Sequence, residues 1–263
     1  MPAALPATEV LDARADGRIA TRRRTVRLGD VDSRGRLRLD ATARYLQDVA
    51  TDDVGETPLG QSFTWVVRRT LIEVRRPAVL GEELTLATFC SGTGRCWAER
   101  RTSIVGSGGG SIETVALWVR IDPSSGRPLS LTPDFMEVYG PAAGGRKVSA
   151  RLGLPPPAAD ATAQPWPIRR VDIDPLGHVN NAAHWAALEE VCEAHRCPLH
   201  GVAEIEFLTP LDFEARVELC IGPAVSREGA TAWLANEATT YTALRWTTGS
   251  GGEGGASTSA APD

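Results

Sequence analysis

The chain has 263 residues, 42% of them hydrophobic and 23% charged, with a formal net charge of −5. That balance is ordinary for a globular protein and excludes a collagen-like, coiled-coil or wholly disordered chain. No apolar run approaches the roughly 20 residues of a membrane helix, and the first twenty residues carry acids and prolines where a secretory signal needs an apolar core.

In chain order, residues 1–19 read as an N-terminal extension. A first unit, 20–140, opens on a turn, Asp30-Val-Asp32-Ser-Arg-Gly35, followed by a helical pattern over 41–54. Strand-like runs follow at 64–67, 70–74, 83–90, 97–105 and 114–121, broken by turns such as Gly106-Ser-Gly-Gly-Gly110 and Asp122-Pro-Ser-Ser-Gly126. The Pro-rich tract 141–167 reads as an interdomain linker, part of it extended polyproline. A second unit, 168–248, has the turn Asp172-Ile-Asp174-Pro-Leu-Gly177 and a helix over 182–196, with Trp185, Leu188, Val191 and Cys192 on one apolar stripe. Strands are expected at 202–207, 215–221, 231–235 and 240–246. The Gly/Ser/Ala-rich stretch 249–263 reads as a disordered tail.

The two units match in order. The D-x-D-x-x-G turns are offset by 142 residues, as are Leu46-Gln-Asp-Val49 and Leu188-Glu-Glu-Val191. Ile72-Glu-Val-Arg-Arg-Pro77 pairs with Ile205-Glu-Phe-Leu-Thr-Pro210 at an offset of 133, and Ala116-Leu117 with Ala243-Leu244 at 127. Shrinking offsets mean shorter loops in the second copy with the element order kept, so the chain reads as a tandem duplication. One central helix followed by an antiparallel meander makes each copy an α+β unit whose sheet wraps its helix. The two copies would pair as a pseudo-dimer.

Residues 171–181, Val-Asp-Ile-Asp-Pro-Leu-Gly-His-Val-Asn-Asn, resemble the signature of hotdog-fold acyl thioesterases. The tandem arrangement, with Leu46-Gln-Asp-Val49, Trp65-Val-Val67, Ile72-Glu-Val74 and Leu117-Trp-Val119, resembles the acyl-ACP thioesterase family in particular, the plant plastid enzymes and their bacterial relatives. The resemblance covers about 22–246. It implies a double hotdog that hydrolyses fatty acyl-ACP, with one active site in the C-terminal copy and the acyl chain housed by the N-terminal copy. The implied partner is acyl carrier protein bearing a phosphopantetheine-linked acyl chain. No cofactor, metal or nucleic acid is expected, and the protein would be a monomer or homodimer. Where copy two has His178, Asn180 and Asn181, copy one has Arg36, Arg38 and Leu39. Two positions depart from the plant-type pattern: Leu176 stands where that pattern has Asn, and Pro210 aligns with its downstream Glu.

Thioester hydrolysis needs a carboxylate to activate or replace water, and donors for the developing oxyanion. Asp174, extended before Pro175, is the candidate base or nucleophile, assisted by His178. Backbone N–H groups near Gly177 and Val179, at the start of the helix, are the candidate oxyanion donors. Asn180 and Asn181 would cap the helix or position substrate. Glu189 and Glu190 offer an alternative helix-borne base. Cys192, His195, Cys197 and His200 superficially suggest a metal site, but their spacing fits no common zinc arrangement. Trp118 and Trp246 read as core. Arg22–Arg24 with Arg68, Arg69, Arg75 and Arg76 are candidates for docking an acidic carrier, since 20–105 hold 15 Arg against 11 acids. Five cysteines, an odd count, accord with reduced thiols and a cytoplasmic home. The rival functions are an acyl-CoA thioesterase on the same fold and a non-catalytic acyl-binding protein.

Overall fold

The computed structural model describes residues 16–60, 64–198 and 200–249. The expected tail from residue 250, and the extension up to residue 15, lie outside the described residues. The strands are β1 (Ala20–Thr25), β2 (Trp65–Arg76), β3 (Glu83–Thr93), β4 (Trp97–Gly106), β5 (Ser111–Arg120), β6 (Thr162–Pro165), β7 (Gly201–Phe207), β8 (Glu218–Ile221), β9 (Gly229–Ala235) and β10 (Thr240–Thr248). Three helices join them: α1 (Leu39–Gly55), α2 (Pro133–Ala143) and α3 (Trp185–Ala194).

All ten strands form one antiparallel sheet in the order β1-β3-β4-β5-β2-β7-β10-β9-β8-β6. Read from the centre outward, each half repeats the other. At the seam β2 pairs with β7 so that Leu71 faces Glu204, its own counterpart at the offset of 133, while Arg69 faces Glu206 and Glu73 faces Val202. Such pairing is that of a two-fold axis between identical surfaces. The duplication read from the sequence is therefore built into the backbone.

Alternation sets which strand residues face the helices. In β3, Leu84 and Leu86 are buried while Glu83 and Thr85 are exposed. Their apolar side joins Leu39, Ala43 and Val49 of α1 and Trp185, Leu188 and Val191 of α3 in one core that spans both copies. Trp118 and Trp246 belong to that core. Burying a tryptophan as completely as Trp185, 1% exposed, is the kind of contact whose loss to alanine costs about 3–5 kcal/mol.

Four elements differ from the sequence reading. The runs at 64–67 and 70–74 are one strand, β2. Helix α2 was not expected; Thr132 caps it by accepting the Phe135 N–H, Pro133 follows at its first position, and Gly144 ends it at φ +57. The tract taken as a linker is partly folded. Residues 162–165 form β6, the counterpart of β1 at the offset of 142, and Pro155 O accepts the indole N–H of Trp233 at 2.8 Å. Buried Glu206 takes the N–H groups of Gly153 and Leu154 at 2.6 and 3.1 Å. The tract thus lies along the outer face of the second half-sheet. The second-copy helix is shorter than 182–196, because 182–184 are wound in turns before α3 starts.

Candidate active site

The two D-x-D-x-x-G segments fold alike, bond by bond. In copy one Asp32 N–H donates to Arg36 O, Gly35 N–H to Asp32 O, Leu37 N–H to Ala78 O and Arg38 N–H to Asp30 O. In copy two Asp174 N–H donates to His178 O, Gly177 N–H to Asp174 O, Val179 N–H to Leu211 O and Asn180 N–H to Asp172 O. Asp174 Oδ1 accepts the Leu176 N–H at 2.8 Å, as Asp32 Oδ1 accepts that of Arg34. Gly35 and Gly177 sit at φ +76 and +83, where a side chain would strain the turn. The D-x-D-x-x-G pattern thus encodes a turn in both copies, and what stands on the turn differs.

On the second turn, His178 Nδ1 lies 2.6 Å from Asp212 Oδ1. The backbone brings them together: His178 bridges Asp212 in antiparallel fashion just as Arg36 bridges Val79. With the carboxylate accepting from Nδ1, Nε2 carries the lone pair and is able to accept a proton. Asp212 was not among the residues picked from the sequence. Pro210 is the repeat partner of Pro77, and the acid at His178 comes two residues after it. A signal was present: copy one reads Pro77-Ala-Val79 where copy two reads Pro210-Leu-Asp212. A charge replaces an apolar residue only in the copy that has the histidine.

The expected oxyanion donors need correction. The N–H groups of Gly177 and Val179 are spent on Asp174 O and Leu211 O, holding the turn. Those of His178 and Asn181 bond no described residue, so they are the donors left beside the histidine. Asn180 does not cap α3, whose N-cap position is His184 with no side-chain hydrogen bond; its Oδ1 accepts the Ala182 N–H at 2.9 Å in the turn before the helix. The same oxygen accepts from Gln47 Nε2 of α1 at 3.1 Å, so a first-copy side chain closes the second-copy turn. Asn181 is half-buried beside it.

Glu189 does not serve His178. The two helices meet across the two-fold, so each reaches the other copy's turn: Gln47 goes to Asn180, and Glu189 Oε1 accepts the Leu39 N–H at 2.6 Å. Burial, with Asp40 adding repulsion, pushes the Glu189 carboxyl up to about 8. Glu190 is exposed. His184 was overlooked by the sequence reading. It is 3% exposed, its Nδ1 lies 2.7 Å from Thr242 Oγ1 on β10, and burial lowers it to about 4. It therefore stays neutral and braces the start of α3 against the sheet.

Cys192 and Cys197 lie together, both thiols raised by burial, and among the described residues no group of three or more His, Cys, Asp or Glu is placed to hold a metal. Of the candidate docking arginines, Arg22 pairs with Asp52 and Glu56, Arg24 lies near Asp48 and Asp52, and Arg75 pairs with Glu73. Arg68 and Arg69 donate to the carbonyls of Leu208 and Arg151. Much of that positive charge is locally neutralised. Nearer the His178 turn, the Arg170 guanidinium lies over the Phe213 ring, 4.3 Å from its centroid, one residue from Asp212.

Comparison with known proteins decides the family. Residues 17–139 match the acyl-ACP thioesterase N-terminal domain, and residues 157–241 match the acyl-ACP thioesterase C-terminal domain. The chain belongs to the acyl-ACP thioesterase family. An uncharacterised protein of Mycobacterium tuberculosis is 33% identical over 184 residues, 69% of this chain and 74% of that protein. Among solved structures, an acyl-ACP thioesterase from Bacteroides thetaiotaomicron superposes with a TM-score of 0.71 at 16% identity, over 87% of this chain and 97% of its own. The 12:0-ACP thioesterase from Umbellularia californica gives 0.71 at 16% identity over 87% and 96%. These likenesses establish the double-hotdog fold. In this acyl-ACP thioesterase, one turn of the duplicated pair carries a histidine–carboxylate couple and the other does not.

Proposed function

We propose that this member of the acyl-ACP thioesterase family hydrolyses fatty acyl-ACP at the His178 turn, with His178 as general base and Asp212 as its positioning carboxylate. The observation that carries the proposal is the 2.6 Å His178–Asp212 contact, replaced in the first copy by Arg36 facing Val79. His178 Nε2 takes a proton from water as the oxygen attacks the thioester carbonyl. The carbonyl electrons move to oxygen, which the free N–H groups of His178 and Asn181 stabilise; one such donor is typically worth about 10²–10³ in rate. Collapse of the adduct expels the pantetheine thiolate, which recovers the proton from the imidazolium. A thiol of pKa about 8.5 leaves readily, so little further acid help is needed. Asp174, with Oδ1 tied into the turn, keeps its second oxygen to orient the water.

The acyl chain is assigned to the first copy, whose α1 reaches the turn through Gln47. Carrier docking is assigned to the rim around Arg170, a cation held on a ring beside Asp212. A cytoplasmic location accords with five free cysteines. No described helix is long and apolar enough to cross a membrane.

The test is a panel of acyl-ACPs of varied length, each compared with the acyl-CoA of equal length, assayed with wild type and His178→Ala. The proposal expects release of fatty acid from acyl-ACP by wild type and near-complete loss in the variant. A folded His178→Ala protein with full hydrolysis would overturn it.

A further inference from the structure

The internal two-fold carries the His178 turn onto Asp32–Arg36, and beside that first-copy turn the surface forms a cleft. It is open to solvent and has a volume of about 440 Å³, within the range of small-molecule sites. Its lining includes Arg34 and Arg36 from the first-copy turn, Arg196 at the end of α3, His200, and Arg227 from the turn before β9, with no acidic residue among them. Three separate stretches of chain thus place arginines around one space. Arg36 turns back to Asp32, and Arg34 Nη2 lies 2.9 Å from Glu193 Oε1. Arg196 and Arg227 make no ion pair or hydrogen bond through their side chains with a described residue.

Arg196 adds an independent sign. Its φ is +54, the sole positive value for a non-glycine among the described residues. It occupies the place after a helix end where glycine or asparagine is the usual choice, and a larger residue held there strains the backbone. Closing the helix does not itself call for arginine. Converging unpaired guanidinium groups repel one another, and a phosphate relieves that repulsion while matching their planar donor pairs. The first-copy turn has no acid–base couple of its own, since Arg36 and Val79 stand where the second-copy turn has His178 and Asp212.

We propose that this cleft binds the phosphate groups of a phosphorylated small molecule. This does not rest on the assignment of the hydrolytic residues. The test is calorimetric titration of the full chain at low salt with inorganic pyrophosphate, adenosine 3′,5′-bisphosphate and phosphopantetheine. The three probes separate a bare phosphate requirement from a nucleotide source and from the carrier's prosthetic arm. The expected result is saturable binding of at least one probe, weakened by added salt. The double variant Arg196→Gly/Arg227→Ala, in which glycine accepts the left-handed backbone, should lose at least tenfold in affinity, and His178→Ala should stay within twofold of wild type. Absence of saturable binding for all three probes, binding retained by the double variant, or binding lost in His178→Ala would overturn the proposal.

Discussion

At the scale of single residues, His178 and Asp212 form the couple on which the proposed chemistry depends. General-base catalysis contributes about 10²–10⁴ in rate, so His178→Ala should lower kcat on acyl-ACP by that factor. Asp212 acts through the imidazole. Asp212→Asn should cost about 10–100-fold, as loss of an orienting partner does, and should also move the pH profile of kcat/KM, which a purely structural residue would leave in place. Asp174→Asn keeps an oxygen for the Leu176 N–H and tests the carboxylate alone: with the turn intact, a Tm within a few degrees of wild type and a clear fall in kcat is the expected pair of readings. Asp174 and His178 were legible because they lie on one contiguous turn whose spacing the sequence displays. Asp212 was not, because a backbone bridge between the turn and the β7–β8 connection brings it to His178 across 34 positions. The oxyanion donors were misjudged for a related reason: only the hydrogen bonds of the folded turn reveal that Gly177 and Val179 are already used.

At the scale of elements, the two central helices were readable from their apolar period, and their buried faces hold the core together. The edge strands were not. β1 is Ala-Thr-Arg-Arg-Arg-Thr and β6 is Thr-Ala-Gln-Pro with every residue exposed, so neither offers an alternating apolar signal. They join the sheet through backbone pairing. Helix α2 is fixed by tertiary contacts: buried Asp53 of α1 accepts from Arg18 Nε and Arg100 Nη1 at 2.7 Å each and from Tyr139 Oη at 3.0 Å. Asp53→Ala would leave two guanidinium groups without their shared partner. It should destabilise by about 3–5 kcal/mol, read as a drop in the urea midpoint.

The helix contact also has a pH signature. Folded Glu189 holds its proton up to about pH 8, while the unfolded chain releases it near 4.5. Above 4.5 the folded state binds more protons than the unfolded one, so stability falls as pH rises towards 8. His184 works in the opposite sense: it stays neutral to about pH 4 when folded and charges below 6.5 when unfolded, so its contribution is lost as pH falls through that window. The two oppose each other between 4.5 and 6.5, and Glu189 acts alone of this pair from 6.5 to 8. Glu189→Gln should therefore flatten the loss of stability between pH 6.5 and 8, measured by urea unfolding at both.

At the scale of the molecule, the sequence offsets mapped onto a sheet whose second half repeats the first outward from β2 and β7, and this was the most legible feature of all. Repetition of turn, helix and strand order survives in one chain without any contact being known. Charge was harder to read, because a run of arginines does not reveal its partners. Arg22 and Arg24 face the acids of α1, whereas Arg170, inconspicuous in the sequence, stands beside the candidate site. Arg170→Glu should raise KM for acyl-ACP several-fold with kcat little changed, and the effect should shrink as salt is added. The central claim is that a duplicated turn became hydrolytic in one copy alone. Its most direct test is the initial rate of fatty acid release from acyl-ACP by His178→Ala and Arg36→Gln, the matched positions of the two turns, measured side by side on protein of wild-type fold. A fall of at least 100-fold for His178→Ala, with Arg36→Gln within threefold of wild type, is the predicted result; equal losses in both variants, or full activity in His178→Ala, would contradict it.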